Sequence, residues 1–250
     1  MSDLPEPIPA ATLILMRPAA SGGAPEILML QRAETMAFAA GALVFPGGRI
    51  DPGDHALSRR IAPDMEDAAA RIAAIRETIE ETGLAAALSP APDSAALRRG
   101  LARGEAFGPL LEAAGLTLDL DALTPFARWC PNFREARRFD TLFYIADAPL
   151  DADSITADET ESVHAFWASA ADVIAGLEAG RAKAIFPTRR NLERLARFGS
   201  LAEAKADAAR HPVRKITPWV EERDGSRFVC IPEGLGYPVT SEPYESARRR

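Results

Sequence analysis

The stretch Arg76-Glu77-Thr78-Ile79-Glu80-Glu81-Thr82-Gly83-Leu84 constrains this chain more than any other. A helix advances roughly 100° per residue. Glu77, Glu80 and Glu81 therefore fall on one third of its circumference, with Ile72, Ile75 and Ile79 on the other side as a core-facing stripe. Asp64 suits an N-cap and Gly83 the C′ position, so the spacing predicts a helix from about Asp64 to Thr82. Ala70, Ala73 and Ala74 leave room for something to approach the carboxylates. Like charges at this spacing cost ~0.2–0.5 kcal/mol per pair, and crowded carboxylates raise one another's pKa. A divalent cation reverses both penalties. Magnesium prefers oxygen ligands and shares phosphate oxygens with its substrate. The bland alternative is a solvated face on which Arg76 pairs with Glu80.

Around this helix the pattern reads as strands at Ala11–Met16, Glu26–Arg32 and Ala42–Phe45, the last ending in Pro46-Gly47-Gly48. The two glycines allow backbone to come close to a ligand or ion. Leu84 to Leu120 reads as a helical insert, with helices at Asp93–Arg103 and Glu105–Ala114. Strand signals return at Phe126–Cys130, Phe139–Ala146 and Ser162–Trp167, followed by helices at Ser169–Gly180 and Thr188–Phe198. Val213–Val220 and Arg227–Ile231 read as late strands. Strands before, between and after helices, without regular βαβ spacing, imply a mixed sheet packed between helices. The expected organisation is an extended arm over 1–9, a main domain over 10–200 and a C-terminal extension over 201–250 packed on it.

Composition narrows the function classes. A net charge of −7 without a long basic block argues against a phosphate-backbone binder. Cys130 and Cys230 cannot make a disulfide framework, which points to a reducing, cytoplasmic setting. The start MSDLPEPIPA lacks the basic and apolar regions of a secretory signal, and no apolar run reaches membrane-spanning length. The P-loop, G-x-S-x-G and H-E-x-x-H motifs are absent from the sequence, so the common P-loop, serine and zinc hydrolase classes do not fit.

Gly48, Asp54 after five intervening residues as the first acidic position, and Arg76 to Leu84 together resemble the Nudix signature, G-x5-E-x7-R-E-U-x-E-E-x-G-U. Asp54 stands for glutamate, Thr78 for an aliphatic residue, and 21 residues rather than seven separate Asp54 from Arg76. The extra residues place a loop, about His55–Pro63, beside the site, where it could shape substrate choice. The resemblance implies an α/β fold, the Nudix α/β/α sandwich with a mixed sheet and a helical insertion. It also implies metal-dependent hydrolysis of a nucleoside diphosphate derivative. On that reading Gly48, Glu77, Glu80 and Glu81 surround Mg2+, with Mn2+ as a substitute, and Arg76 orients the carboxylates. Glu77 or Glu161 would act as base, with Asp158 and Glu159 as neighbours able to replace the latter.

A narrower likeness covers most of the chain. Leu28-to-Ala33, Gly41 and Phe45-to-Gly48 are similar to the motif of coenzyme A-cleaving Nudix enzymes, although Leu30 and Ala37 depart from it. Arg137-to-Thr141 and Phe186-to-Leu192 look most like the peroxisomal or mitochondrial CoA-diphosphatase branch and its bacterial relatives. Arg32 and Arg138 suit phosphate clamps, since guanidinium donors match phosphate oxygens. Phe45 and Phe139 could stack on a base or simply pack in the core. Three functions stay open: a CoA or acyl-CoA diphosphatase; a hydrolase of ADP-ribose, a dinucleotide or a nucleotide sugar; and a nucleotide sensor without turnover. The expected partner is a small molecule, without nucleic acid or membrane, and homodimers are frequent among related folds.

Overall fold

The residues of the first strand alternate between two apolar clusters: Ala11, Leu13 and Leu15 enter one, Ile14 and Met16 the other. A strand apolar on both faces belongs in the middle of a covered sheet. The computed structural model describes residues 5–20, 22–36, 39–131, 138–150, 152–153, 155 and 162–248. Its strands begin with β1 (Ile8–Arg17), β2 (Glu26–Arg32), β3 (Leu43–Val44), β4 (Gly47–Arg49), β5 (Leu88–Ser89) and β6 (Thr117–Leu118). Then come β7 (Thr124–Trp129), β8 (Phe139–Asp147), β9 (Ser162–Ser169), β10 (Lys215–Ile216), β11 (Trp219–Arg223), β12 (Ser226–Cys230) and β13 (Ser241–Pro243). The helices are α1 (Pro52–Ile61), α2 (Ala68–Thr82), α3 (Ser94–Ala102), α4 (Phe107–Ala113), α5 (Ala170–Glu178), α6 (Phe186–Leu195), α7 (Leu201–Arg210) and α8 (Tyr244–Arg248).

Among the described residues, one mixed sheet of eight strands runs β10-β7-β8-β1-β2-β3, with β4 also paired to β1 and β9 to β2. β1 is parallel to β8, and β10 to β7; the other pairs are antiparallel. One face packs on α2, α3 and α4 through Ile72, Ile75, Ile79, Leu97 and Leu111. The other packs on α5, α6 and α7 through Val173, Leu177, Leu192, Leu195 and Ala204. The result is the α/β/α sandwich expected, insert included. β1 changes neighbour midway: Ala10, Ala11 and Thr12 pair with β4, Met16 and Arg17 with β2. That change sets the Gly47-Gly48 backbone against the middle of the sheet.

Several expectations are corrected. The N-cap of α2 is Asp67, not Asp64. Its carboxylate does not cap; it accepts from Arg71 Nε at 2.8 Å and from the Tyr144 hydroxyl at 3.0 Å, so tertiary partners set the start. The far end follows the sequence, with Gly83 at φ 74° and its N–H donating to Ile79 O at 2.9 Å. The expected loop at His55–Pro63 is mostly helix α1. Its start was written in Asp51-Pro52: proline suits the first turn, and Asp51 N–H donates to Asp54 Oδ2 at 2.9 Å, half of a capping box. The expected strand over Val213–Val220 splits into β10 and β11 around Thr217-Pro218, because proline has no ladder donor. α7 lies where no element was expected. It is capped by Ser200 Oγ, which accepts from Glu203 N–H at 3.2 Å.

Cys130 and Cys230 are free and buried. Among the described residues no helix is long and apolar enough to cross a membrane.

Behind the sheet, α7 and β7 are tied to α6 by a charge. Arg194 is 1% exposed; it donates to Asp207 Oδ2 at 2.9 Å and to Phe126 O at 2.9 Å, and its guanidinium lies 4.0 Å from the Phe126 ring centre. Breaking one side of a buried pair strands the other, at a cost of ~3–5 kcal/mol. Arg194→Met is expected to lower unfolding free energy by about that amount in urea titrations. The Arg194→Met/Asp207→Leu double variant should recover part of the loss. Equal loss in the double variant would show that the charge pair is not what couples these elements.

Candidate active site

Two consecutive glycines build the entrance to the site. Gly47 has φ +155°, and a Cβ there would sit 2.4 Å from Ala11 O and 2.7 Å from Thr12 Cα. A Cβ on Gly48 would lie 2.3–2.5 Å from the carboxyl atoms of Glu77. The β4 backbone is thus held between the backbone of β1, which leaves room only for glycine at Gly47, and the Glu77 side chain of α2. Glu81, 5% exposed, closes the join: its Oε2 accepts from Gly47 N–H at 2.9 Å.

Arg76 is the hub of the acidic corner. Its Nε and Nη2 fork onto Asp54 at 3.0 and 2.9 Å, and Asp54 is 2% exposed. Nη1 donates to Glu77 Oε1 at 3.0 Å and Glu80 Oε1 at 3.2 Å, and Nη2 also reaches Arg49 O at 3.0 Å. Asp51 Oδ2 is 3.7 Å away. One guanidinium is thus shared among several carboxylates. Burial pushes the Glu77 carboxyl up to about 7, against the opposing pull of Arg76 and with a further push from Glu80. Burial raises Glu80 as well, again opposed by Arg76. The corner is short of positive charge.

A cavity of about 960 Å³ opens on this corner. Gly48, Arg76, Glu77 and Glu80 line it, as do Arg32, Phe45 and Arg138. Phe45 is 4% exposed and edge-on to Phe143, so it is a core residue whose surface borders the cavity. Arg138 donates to Pro131 O at 3.2 Å and Pro5 O at 3.1 Å, tying residues before β1 to the cavity wall. Glu81 is the exception among the expected metal ligands: it does not line the cavity but turns to the Gly47 amide. Glu161, its neighbours Asp158 and Glu159, and also Ala37 and Arg137, lie outside the described residues. The sequence reading missed Trp129, Thr188 and the α3–α4 connection as cavity walls. Only the Asp51-Pro52 helix start signalled that residues 51–54 turn back toward the glutamates.

Among the described residues, no three His, Cys, Asp or Glu side chains converge into a ready-made cage. Magnesium does not need one, since it is commonly held by one or two carboxylates, waters and substrate phosphates. Glu77 and Glu80 supply hard oxygen donors at an acidic corner of the cavity wall, and Gly48 adds backbone beside Glu77. The residues present fit such an ion.

No family model matches the chain. Among solved structures, it is similar to a NUDIX hydrolase from Alicyclobacillus acidocaldarius. The two are 28% identical, the match covers 80% of this chain and 96% of the other, and the TM-score is 0.72. A MutT protein from Methanosarcina mazei Go1 matches at 17% identity over 78% of this chain and 97% of the other. Its TM-score is 0.42, too low to bear on the assignment. Sandwich topology, signature residues and likeness to the Alicyclobacillus protein together support a hydrolase of the Nudix superfamily.

Proposed function

We propose that the protein hydrolyses a phosphoanhydride bond in a nucleoside diphosphate derivative, with magnesium, or manganese in its place, as the cofactor. The observation that carries this reading is the shared cavity: carboxylates short of counter-charge, which call for a cation, and arginines suited to phosphate line the same space. When bound, the metal would neutralise charge on the diphosphate. Glu77, Glu80 and the Gly48 carbonyl would hold it. Arg76, fixed by its fork on Asp54, keeps those two glutamates at the cavity wall. Glu81 belongs to the same set, and its bond to Gly47 N–H holds the loop in register with the helix. Arg32 and Arg138 would clamp phosphate oxygens. Glu77 or Glu161 would accept the proton of the attacking water.

Coenzyme A or an acyl-CoA is the substrate this reading favours, because the cavity is large for a small metabolite and has apolar walls beside its charged corner. ADP-ribose, a dinucleotide or a nucleotide sugar is the second reading. It is favoured by Ala37, where the CoA-cleaving motif carries arginine.

Incubation of the full chain with magnesium and each of CoA, ADP-ribose and NADH, with products identified by mass, should yield adenosine bisphosphate from CoA. AMP from ADP-ribose or NADH alone would move the assignment to the second reading. Tight binding without turnover would mean a sensor. Glu77→Gln and Glu81→Gln are each expected to lower kcat by about 100-fold or more while keeping the wild-type circular dichroism. Glu77→Gln should also abolish any magnesium-induced rise in Tm. Near-wild-type rates in either variant would refute the assignment of that residue.

The raised Glu77 carboxyl has a sign that can be checked. The folded state holds this proton more tightly than the unfolded chain, so metal-free stability should fall as pH rises from 4.5 to about 7. The Glu77→Gln variant should lack that part of the slope. Identical pH–stability curves for the two proteins would contradict it.

A further inference from the structure

Two stretches make this chain longer than the signature requires: the segment between Asp54 and Arg76, and the insert after α2. In the structure they lean on one another. Leu57 of α1 lies against the backbone of Gly108 in α4, where a Cβ would come within 3.3 Å of it. Arg60 of α1 is ion-paired with Glu112 of α4. α3 is fastened to the acidic helix itself, since Arg98 Nε donates to Glu80 O at 2.9 Å. Held from both sides, the α3–α4 connection brings Leu101, Gly104, Glu105, Ala106 and Phe107 to the wall of the cavity that also contains Glu77 and Glu80.

The chemistry of that wall differs from the acidic corner. Leu101 and Phe107 are rooted in the core. The Glu105 carboxylate is balanced by Arg103, 2.6 Å away. Ala106 is exposed, so its side chain can grow without displacing the core. Apart from that ion pair, the wall presents Gly104 and Ala106 at its surface, with Leu101 and Phe107 buried behind them.

We propose that the Leu101–Phe107 connection is the specificity-determining element of the site. It contacts the group attached to the nucleoside diphosphate and favours a long apolar arm over a compact polar one. This rests on the function proposed above. A hydrophobic surface discriminates modestly for each group it contacts, by roughly 10–200-fold, so the effect should be visible in ratios of kcat/KM.

The test uses the full chain with magnesium and three substrates: CoA, a long-chain acyl-CoA and ADP-ribose. Wild type, Ala106→Leu and Ala106→Trp are compared, with circular dichroism to check folding. The wild type should prefer the long-armed substrates. The ratio of kcat/KM for acyl-CoA to that for ADP-ribose should fall with side-chain size, by about tenfold for Ala106→Trp. A ratio constant within about twofold in the folded variants overturns the inference and leaves the proposed function standing. So does a wild type that prefers ADP-ribose, a measurement that does not depend on either variant folding. A wild type that hydrolyses none of the three overturns both.

Discussion

Arg76 is 7% exposed and stands within 4 Å of carboxyl oxygens from Asp51, Asp54, Glu77 and Glu80. Burying one cation among several anions is tolerable only when hydrogen bonds satisfy most of the guanidinium, and here its fork on Asp54 does so. That fork joins the beginning of α1 to the middle of α2. The bond from Arg76 to Arg49 O then fixes β4 against both. Loop, strand and helix are thus registered to one another through a single side chain. The cavity wall inherits its shape from that registration.

The glycines belong to the same constraint. Without a side chain at Gly47, β4 packs on the β1 backbone at distances no other residue permits, and Gly48 leaves room for the Glu77 carboxylate. Glu81 and Glu77 consequently do different things although they sit four positions apart on one helix. One accepts from the loop's amide, and the other faces the cavity with its carboxyl pushed up by burial. A corner that is anionic, desolvated and short of counter-charge has the electrostatic character expected of a site that receives a cation along with its substrate.

Much of this was legible beforehand because it depends on local periodicity. The isoleucine stripe of α2, the Gly83 stop and the short apolar runs of β1 and β8 each need only a few neighbouring residues to be recognised. The two insert helices were readable for the same reason, with Asp93 accepting from Ala96 N–H at 3.0 Å as their visible start. Where reading failed, the deciding partner was distant. Asp67 rather than Asp64 begins α2, where its carboxylate accepts from the hydroxyl of Tyr144, 77 residues away. α1 is the different case: its proline and capping box are local signals, yet the segment reads as a loop from sequence.

The sequence by itself determined which residue types the site contains and the helix that carries them, because spacing along 3.6 residues per turn decides which side chains share a face. It also determined the α/β/α layering, since strands apolar on both faces require cover on both. Long-range packing, by contrast, turns Glu81 to the loop, makes Arg138 tie down the chain before β1, and brings two separate insertions together to wall one cavity. Those outcomes depend on contacts between residues tens of positions apart. No local pattern encodes them, because the free energy that selects them appears only when the packed elements exclude water together.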